Sequence, residues 1–460
     1  MKYVISGGVV SLSLLLTACR VGPDYHRPLV SLPVTYKESQ GWQKAEPLDA
    51  LSKGDWWMIY RDPVLNQLLP NVVLSNQNIA MYEAKYRQAL ALVAGAQAAR
   101  FPDLNINGQG TRSASTQSIA NSYSTGLQAS WQLDLWGKLR RQQRENQAEA
   151  EASAAQLANA TLSAQAELAQ NYFKLRVMDQ QIALDQQSIQ IYQDSLRIVN
   201  NRYQAGLATL ASVAQAQQQV ASTRSNLENV QWQRAQLEHA IALLAGTTPA
   251  QFHLPAAPLQ AHLPTIPTSL PASLLQRRPD IAAAERSVAA ANEQIGIAIS
   301  GYYPDLSISA SGGFSSSVLH NLLTLPQRVW SLGPQLSGTV LDFGATTAKK
   351  RQAEAAYDAS VASYRQTVLQ AIGEVEDNLV QLQSVSHELV QQRAAVEAAK
   401  TSARVTRNQY LAGKIDYLDV VTTENSQLSE KQKLLSLESS QWVASVNLVK
   451  ALGGGYHYPD

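Results

Sequence analysis

From about Gly137 to Tyr203 the sequence carries two hydrophobic rulers at once, and this doubling restricts the fold more than any other feature. Leu168, Leu175, Ile182, Ile189, Leu196 and Tyr203 recur every seven residues, and so do Val177, Leu184, Ile191 and Ile198, two positions later. Two residues turn about 200° around an α-helix, so the two series fall on nearly opposite sides instead of merging into one stripe. A helix buried on one face needs only one of them. A helix carrying both is a stave with a neighbour on each flank, packed in coiled-coil fashion. Asp179, Gln186, Gln193 and Asn200 lie between the seams and predict wet faces there. At ~1.5 Å per residue the stave is ~100 Å long, far beyond an ordinary globular helix.

The 460 residues would commonly form two or three domains, and 45% hydrophobic content allows a sizeable core. Only 16% of residues are charged, and Ala, Gln and Ser fill the long segments, as suits helices packed closely on several sides. A formal charge of +1 without a Lys/Arg-rich run argues against nucleic acid as a partner. The histidines (His26, His239, His253, His262, His320, His387, His457) show no ligand spacing, so no metal site is expected. No nucleophile motif, phosphate loop or carboxylate pair stands out, so the chain is not expected to be an enzyme or to need a cofactor.

Cys19 is the single cysteine. Lys2 precedes an apolar run from Val4 to Leu16, which ends in Thr17-Ala18-Cys19, and this pattern predicts a signal peptide over 1–18. The end of the run resembles a bacterial lipobox, in which the cysteine becomes an acylated N-terminus. Arg20, standing where an inner-membrane lipoprotein carries aspartate, then implies the outer membrane. No later run of about 18 apolar residues predicts a transmembrane helix.

A lipidated N-terminal tether follows over 19–54. A first repeat spans 55–255. It opens with Trp56-Trp57 and Asp62-Pro63 and a helical stretch continuing to Arg100, which Pro102 ends. Leu104 and Ile106 begin a strand. In its partner Tyr123, Thr125, Leu127, Ala129, Trp131, Leu133 and Leu135 alternate with Ser124, Gly126, Gln128, Ser130, Gln132 and Asp134, giving one greasy and one wet face. The stave turns at Ala205-Gly206 and returns from Thr209 to Leu244, where Val213, Val220, Leu227 and Ile241 keep the heptad phase and Arg234 interrupts it. A Pro-rich linker occupies 256–271.

The pattern then recurs over 272–460. Phe101-Pro102-Asp103-Leu104 returns as Tyr303-Pro304-Asp305-Leu306, Leu133-Asp134-Leu135-Trp136-Gly137 as Leu341-Asp342-Phe343-Gly344, and Tyr203-Gln204-Ala205-Gly206 as Tyr410-Leu411-Ala412-Gly413. A heptad ruler runs Val361, Val368, Val375, Leu382, Leu389, Val396, Ala403, Tyr410. A second strand pair is expected from Leu306 to Ser315 and from Trp330 to Phe343. The chain is an internal tandem duplication, each half a strand pair plus a long helical hairpin.

Strands of about ten residues with one apolar face match a membrane β-barrel, whose smallest form has about eight strands. Four strands from one chain cannot close it, and an open edge is forbidden in lipid, so several chains must share one barrel. Two helical hairpins likewise enclose no space alone. The alternatives are a soluble sandwich on a helical bundle and a solid coiled-coil rod.

These residues carry a family likeness. Cys19 with Val21-Gly22-Pro23-Asp24-Tyr25 and Pro28, Trp56-Trp57 with Asp62-Pro63, Gln276-Arg277-Arg278-Pro279-Asp280, Tyr303-Pro304, Leu341-Asp342-Phe343-Gly344 and Ala451-Leu452-Gly453-Gly454-Gly455-Tyr456 stand in one order along nearly the whole chain. Together they resemble the TolC-type outer-membrane efflux proteins, in the NodT-like lipoprotein branch. The resemblance implies an α+β membrane protein: a homotrimer with a twelve-stranded outer-membrane β-barrel, four strands per chain, continued by a long periplasmic α-helical barrel. It implies the exit duct of a tripartite pump for small molecules such as drugs. The partners would be outer-membrane lipid, a periplasmic adaptor (membrane fusion) protein and an inner-membrane transporter of the proton-driven RND type. The covalent lipid on Cys19 would be its only attached group. A protein-secretion duct of the same architecture and a non-pore coiled-coil lipoprotein are the competing functions.

The resemblance also assigns roles. The tips Arg202, Tyr203, Gly206, Tyr410 and Gly413 would dock on the adaptor, although tight helix-to-helix turns alone account for both glycines. Asp419 would line a closed periplasmic entrance as one of three symmetry copies, an acidic ring favouring cations. Asp416 would stand beside it, unless it simply caps the last helix. Tyr410 and Arg407 are the candidates for bonds that hold the entrance shut. Ser212 and Ile415 replace an aspartate and an arginine of better-known members, so the salt bridges described for that family are in doubt here.

Overall fold

The computed structural model describes residues 21–29, 54–115, 118–264 and 278–454. The signal peptide, Cys19, most of the tether, linker residues 265–271 and the closing Gly455-Tyr456 lie outside the described residues. Two compact units are built from interleaved segments. One comprises Glu83–Gln156 and Asp280–Thr367 with residues 21–29, the other Leu157–Pro279 and Val368 onward with residues 54–82.

The first unit contains a four-stranded antiparallel sheet in the order β1 (Asp103–Ala114), β2 (Ile119–Leu133), β3 (Asp305–Ser316), β4 (Arg328–Ser337). Its register aligns the alternation of all four strands. Leu104 and Ile106 face Ala129 and Leu127; Leu133, Trp131 and Ala129 face Leu306, Ile308 and Ala310; these face Leu336, Pro334 and Leu332. One face is therefore apolar from edge to edge, and Leu104, Ile106, Trp330, Leu332 and Leu336 are exposed on it. The other carries Asn105, Asn107, Gln128, Ser130, Ser307, Ser309, Ser331 and Gln335. Among the described residues no strand pairs with the outer edge of β1 or of β4.

The repeated Leu-Asp motifs prove to be helix starts. The Asp134 carboxylate accepts hydrogen bonds from the Leu139 and Arg140 amides, and the Asp342 carboxylate from Gly344 and Thr346. Both satisfy orphan donors at the head of a 67-residue helix, α3 (Lys138–Gln204) and α6 (Ala345–Leu411). These caps end the strands sooner than the alternation suggests. β2 stops at Leu133, and β4 stops at Ser337 instead of reaching Phe343, which sits at φ 50° in the turn into α6.

The expected helical stretch continuing to Arg100 is divided into a short 3-10 turn (Trp56–Tyr60), α1 (Pro63–Ser75) and α2 (Gln77–Ala98), the last passing into the first unit at Glu83. Asn76 makes the break: its Oδ1 caps α2 through the Asn78 and Ile79 amides while its Nδ2 donates to the Leu244 carbonyl. Asp62 caps α1 in the same way and accepts the Tyr172 hydroxyl. Trp56, Trp57 and Tyr60 pack with Phe173 and Trp442 in the main core, where Phe173 stacks on Trp442 with ring centroids 4.8 Å apart.

The long helices return as α4 (Leu210–Leu244) and α7 (Tyr417–Ala451), and α5 (Pro279–Ser300) precedes β3. On α6 the predicted ruler is the buried line, with Leu382 half-buried. On α3 the two seams become half-buried flanks below Val177, and the buried line between them is Gln181, Asp185, Ser188, Tyr192, Ser195 and Val199. The expectation that both intervening faces are wet fails on this side, because polar residues there have partners. Asp185 accepts amide protons from Gln181, Asn226 and Gln432, joining α3, α4 and α7. Asp179, also expected to be wet, is buried between Arg176 and Arg234. Among the described residues no helix is long and apolar enough to cross a membrane.

Candidate functional site

The tips of both long hairpins close in the same way. Gly206 and Gly413 take φ of 74° and 73°. The Leu207 amide reaches back to the Arg202 carbonyl and the Lys414 amide to the Gln409 carbonyl, a six-residue closure that needs the left-handed glycine inside it. The repeats then diverge. Tyr203 is 42% exposed, whereas Tyr410, its counterpart, is 7% exposed. Leu207 and Leu210 are also exposed at the first tip and Leu411 and Leu418 at the second, giving the tips apolar surface.

Arg202 crosses from the first hairpin to the second. Its guanidinium donates to the Tyr410 carbonyl at 2.7 Å and lies over the Tyr410 ring, 4.6 Å from its centroid. Tyr410 and Tyr417 rings stand 5.4 Å apart, and Val199, Val213, Ala216 and Val420 complete the cluster, with Ile415 packed on it. The Tyr410 hydroxyl is buried without a protein partner. Tyr410 and Arg407, the candidates for bonds that hold the entrance shut, border one small pocket with Tyr417 and Val420, and the bond to Tyr410 comes from Arg202. Arg407 instead acts on the Tyr417 hydroxyl and on Glu424. Ser212 belongs to the Thr209 cap of α4, its amide donating to the Thr209 hydroxyl at 3.2 Å. Asp416 occupies the N-cap position of α7 but its side chain makes no capping bond, and both it and Asp419 are exposed.

Glu424 was not among the expected site residues. It follows Tyr417 and Val420 on the buried stripe of α7 and is 7% exposed. A carboxylate at i+7 on an apolar stripe is a readable signal. Burial pushes its pKa up to about 7, although Arg407 pulls the other way. The Tyr192 hydroxyl donates to its backbone carbonyl, and burial raises that hydroxyl to about 12. A cavity of about 230 Å³ opens beside it, lined by Ser188, Tyr192, Arg404, Arg407, Glu424 and Lys431.

Cys19 lies outside the described residues, but the segment two residues beyond it is firmly seated in the first unit. Arg141, fully buried, donates to the carbonyls of Val21 and Pro23 and pairs with Glu293 at 2.8 Å. A Cβ on Gly296 would stand 2.1 Å from the Arg141 Nε, so the glycine leaves room for that guanidinium. The Tyr25 hydroxyl bonds the Glu285 carboxylate and Arg27 reaches the Tyr364 hydroxyl.

The family model described as "Outer membrane efflux protein" matches residues 68–247 and 270–454. Among curated proteins the chain is similar to the cation efflux system protein CusC of Escherichia coli K12, 29% identical over 96% of this chain and 98% of that protein. It is 28% identical to the probable efflux pump outer membrane protein TtgC of Pseudomonas putida KT2440, over 97% of this chain and 96% of that one. Among solved structures the outer-membrane channel OprN superposes with a TM-score of 0.85 at 29% identity, covering 95% of this chain and 99% of that one. CusC does so at 0.85 and 26%, covering 95% and 100%.

Proposed function

The chain belongs to the outer membrane efflux protein family, and from that premise we propose that three copies of it form the exit duct through which a tripartite pump discharges small molecules. It is an outer-membrane channel protein of an efflux system. The observation that carries the trimer is the sheet: apolar across one face, polar across the other, with β1 and β4 both unpaired at their outer edges among the described residues. Placed in lipid, those edges must find partners, and β1 of one copy against β4 of the next gives an antiparallel closure of twelve strands. The Asn, Gln and Ser face then lines a wet pore with largely neutral groups, Asp103 and Asp305 standing at one end of it, which favours unselective passage of small solutes.

Cys19 carries the lipid, and the Arg141 seat holds the chain that follows it. Arg202, Tyr203, Gly206, Tyr410 and Gly413 form the tip that meets a periplasmic adaptor, supported by the exposed Leu207 and Leu210. The inner-membrane partner is a proton-driven RND transporter. Arg202 and Tyr410 hold the entrance shut, and Asp416 and Asp419 sit at its rim, where three copies would make a cation-favouring ring.

The test is drug and dye susceptibility of a strain lacking this chain and its redundant outer-membrane ducts. Restoring the gene restores resistance, and replacing Gly206 and Gly413 together by valine abolishes it with trimer levels unchanged. A stable outer-membrane trimer that protects against no compound would refute the efflux reading and favour secretion.

A further inference from the structure

We propose that Glu424 is a proton-operated latch on the entrance: protonated, it lets α7 lie closed against α3 and α6, and ionised, it drives α7 away from them. The inference rests on the reading of the hairpin tips as that entrance and adds its regulation. The geometry comes first. Glu424 lies one turn beyond Val420 and two beyond Tyr417, both members of the tip cluster that Tyr410 and Arg202 lock, so any displacement of α7 at Glu424 is felt at the lock.

The surroundings of the carboxyl are known from each packed helix. From α3 come Tyr192, which bonds the backbone and not the carboxyl of Glu424, and the buried Asp185, held by three side-chain amides. From α4 comes the neutral Gln219, bonded to Asn425. From α6 come Lys400, Arg404, Arg407 and Tyr410, and from α7 itself Tyr417 and Lys431. Lys400 is turned to Glu397. None of these cations makes an ion pair with Glu424, and among the described residues no donor bonds its carboxylate. The four cations border a cavity, and of them Arg407 offsets part of the cost of burying the charge. A carboxylate so placed favours the neutral acid up to about pH 7, and its ionised form gains by moving toward the cations and water.

The sign follows from burial. A solvated glutamate ionises near 4.5, whereas the closed packing holds Glu424 at about 7. The closed state therefore has its full advantage below about pH 4.5, loses it progressively as pH rises, and has lost it above about 7. The ratio of closed to open entrances falls over that window by up to about 300-fold.

The experiment uses the purified, lipidated trimer in planar bilayers, with conductance recorded while the pH on the helical side is stepped from 5 to 8. The wild type conducts several-fold more at the upper end. Glu424→Gln, which copies the protonated form, stays at the low level throughout. Replacing Asp416 and Asp419 by asparagine alters selectivity but keeps the rise. A Glu424→Gln trimer with the wild-type pH rise would overturn the proposal, as would a rise that vanishes in the aspartate double variant. If Glu424→Gln yields no trimer, Arg407→Gln decides: removing the cation that lowers the Glu424 pKa shifts the midpoint upward, and an unshifted midpoint refutes the latch. Failure of the underlying gate reading is distinguishable, because Arg202→Ala would then leave conductance at pH 5 unchanged.

Discussion

Arg202 shows how much of the entrance depends on single side chains. Its contact with Tyr410 combines a charge-assisted bond to a carbonyl with a guanidinium stacked on a ring. At a half-buried site such a contact is worth about 1 kcal/mol, or roughly a five-fold bias toward closure per protomer. Arg202→Ala is therefore expected to raise single-channel conductance of the trimer at acid pH and to sensitise cells to large antibiotics excluded by the closed duct. Arg202→Lys recovers only part of the closure, since an ammonium donates to the carbonyl but does not stack as a plane. Arg407→Ala at pH 5 leaves this lock in place, because the bond to the Tyr410 carbonyl and the cation over its ring both come from Arg202. Equal leakage from Arg202→Ala and Arg407→Ala would show that the lock is assigned wrongly. The sequence placed both arginines near the tips but could not say which reaches Tyr410. The partners belong to different repeats, and only packing of the two hairpins brings residue 202 to residue 410.

Among the elements, strand alternation and heptad rulers were the most legible features, because each records a period that the backbone imposes. What the periods could not record is where polar residues find partners. Asp134 and Asp342 looked like strand ends and are helix caps; Asn76 looked helical and is a break. Arg234, the interruption in the α4 heptads, is similarly explained. It pairs with Asp179 and Glu238 and donates to the Leu254 carbonyl, while the Leu254 amide donates to Glu238 and the Ala257 amide to Asp179. Arg234 thus fastens residues 254–257 to α3 and α4 together with Arg176, which donates to the Pro255 carbonyl. Arg234→Ala removes the arginine from Glu238 and leaves Asp179 with Arg176 alone, and costs on the order of 2 kcal/mol. The expected outcome is a melting temperature lowered by several degrees, with new protease cleavage near Leu254 before the helices are cut. Unchanged cleavage and melting would mean that packing alone holds the segment.

For the molecule as a whole, the duplication explains why one chain presents two open strand edges. Each repeat contributes a strand pair, the pairs join through β2 and β3, and β1 and β4 remain as termini of the sheet. The directions alternate along the sheet, so β4 of one copy and β1 of the next run antiparallel and continue the same ladder. The seam is testable because the chain has no cysteine besides Cys19, which the lipid would occupy. Asn107→Cys on β1 is combined in turn with Ser331→Cys, Gly333→Cys and Gln335→Cys on β4. Within the chain β1 and β4 are separated by two strands, beyond the 4.4–6.8 Å span that a disulfide allows between Cα atoms. At least one pair should therefore give dimers and covalently closed trimers on a non-reducing gel of outer membranes, while each single cysteine gives none. Three pairs that all remain monomeric in a trimer able to conduct would mean that the seam lies between other strands. The twelve-stranded closure would then fail with the apolar face intact, since the register fixes that face independently of which edges meet.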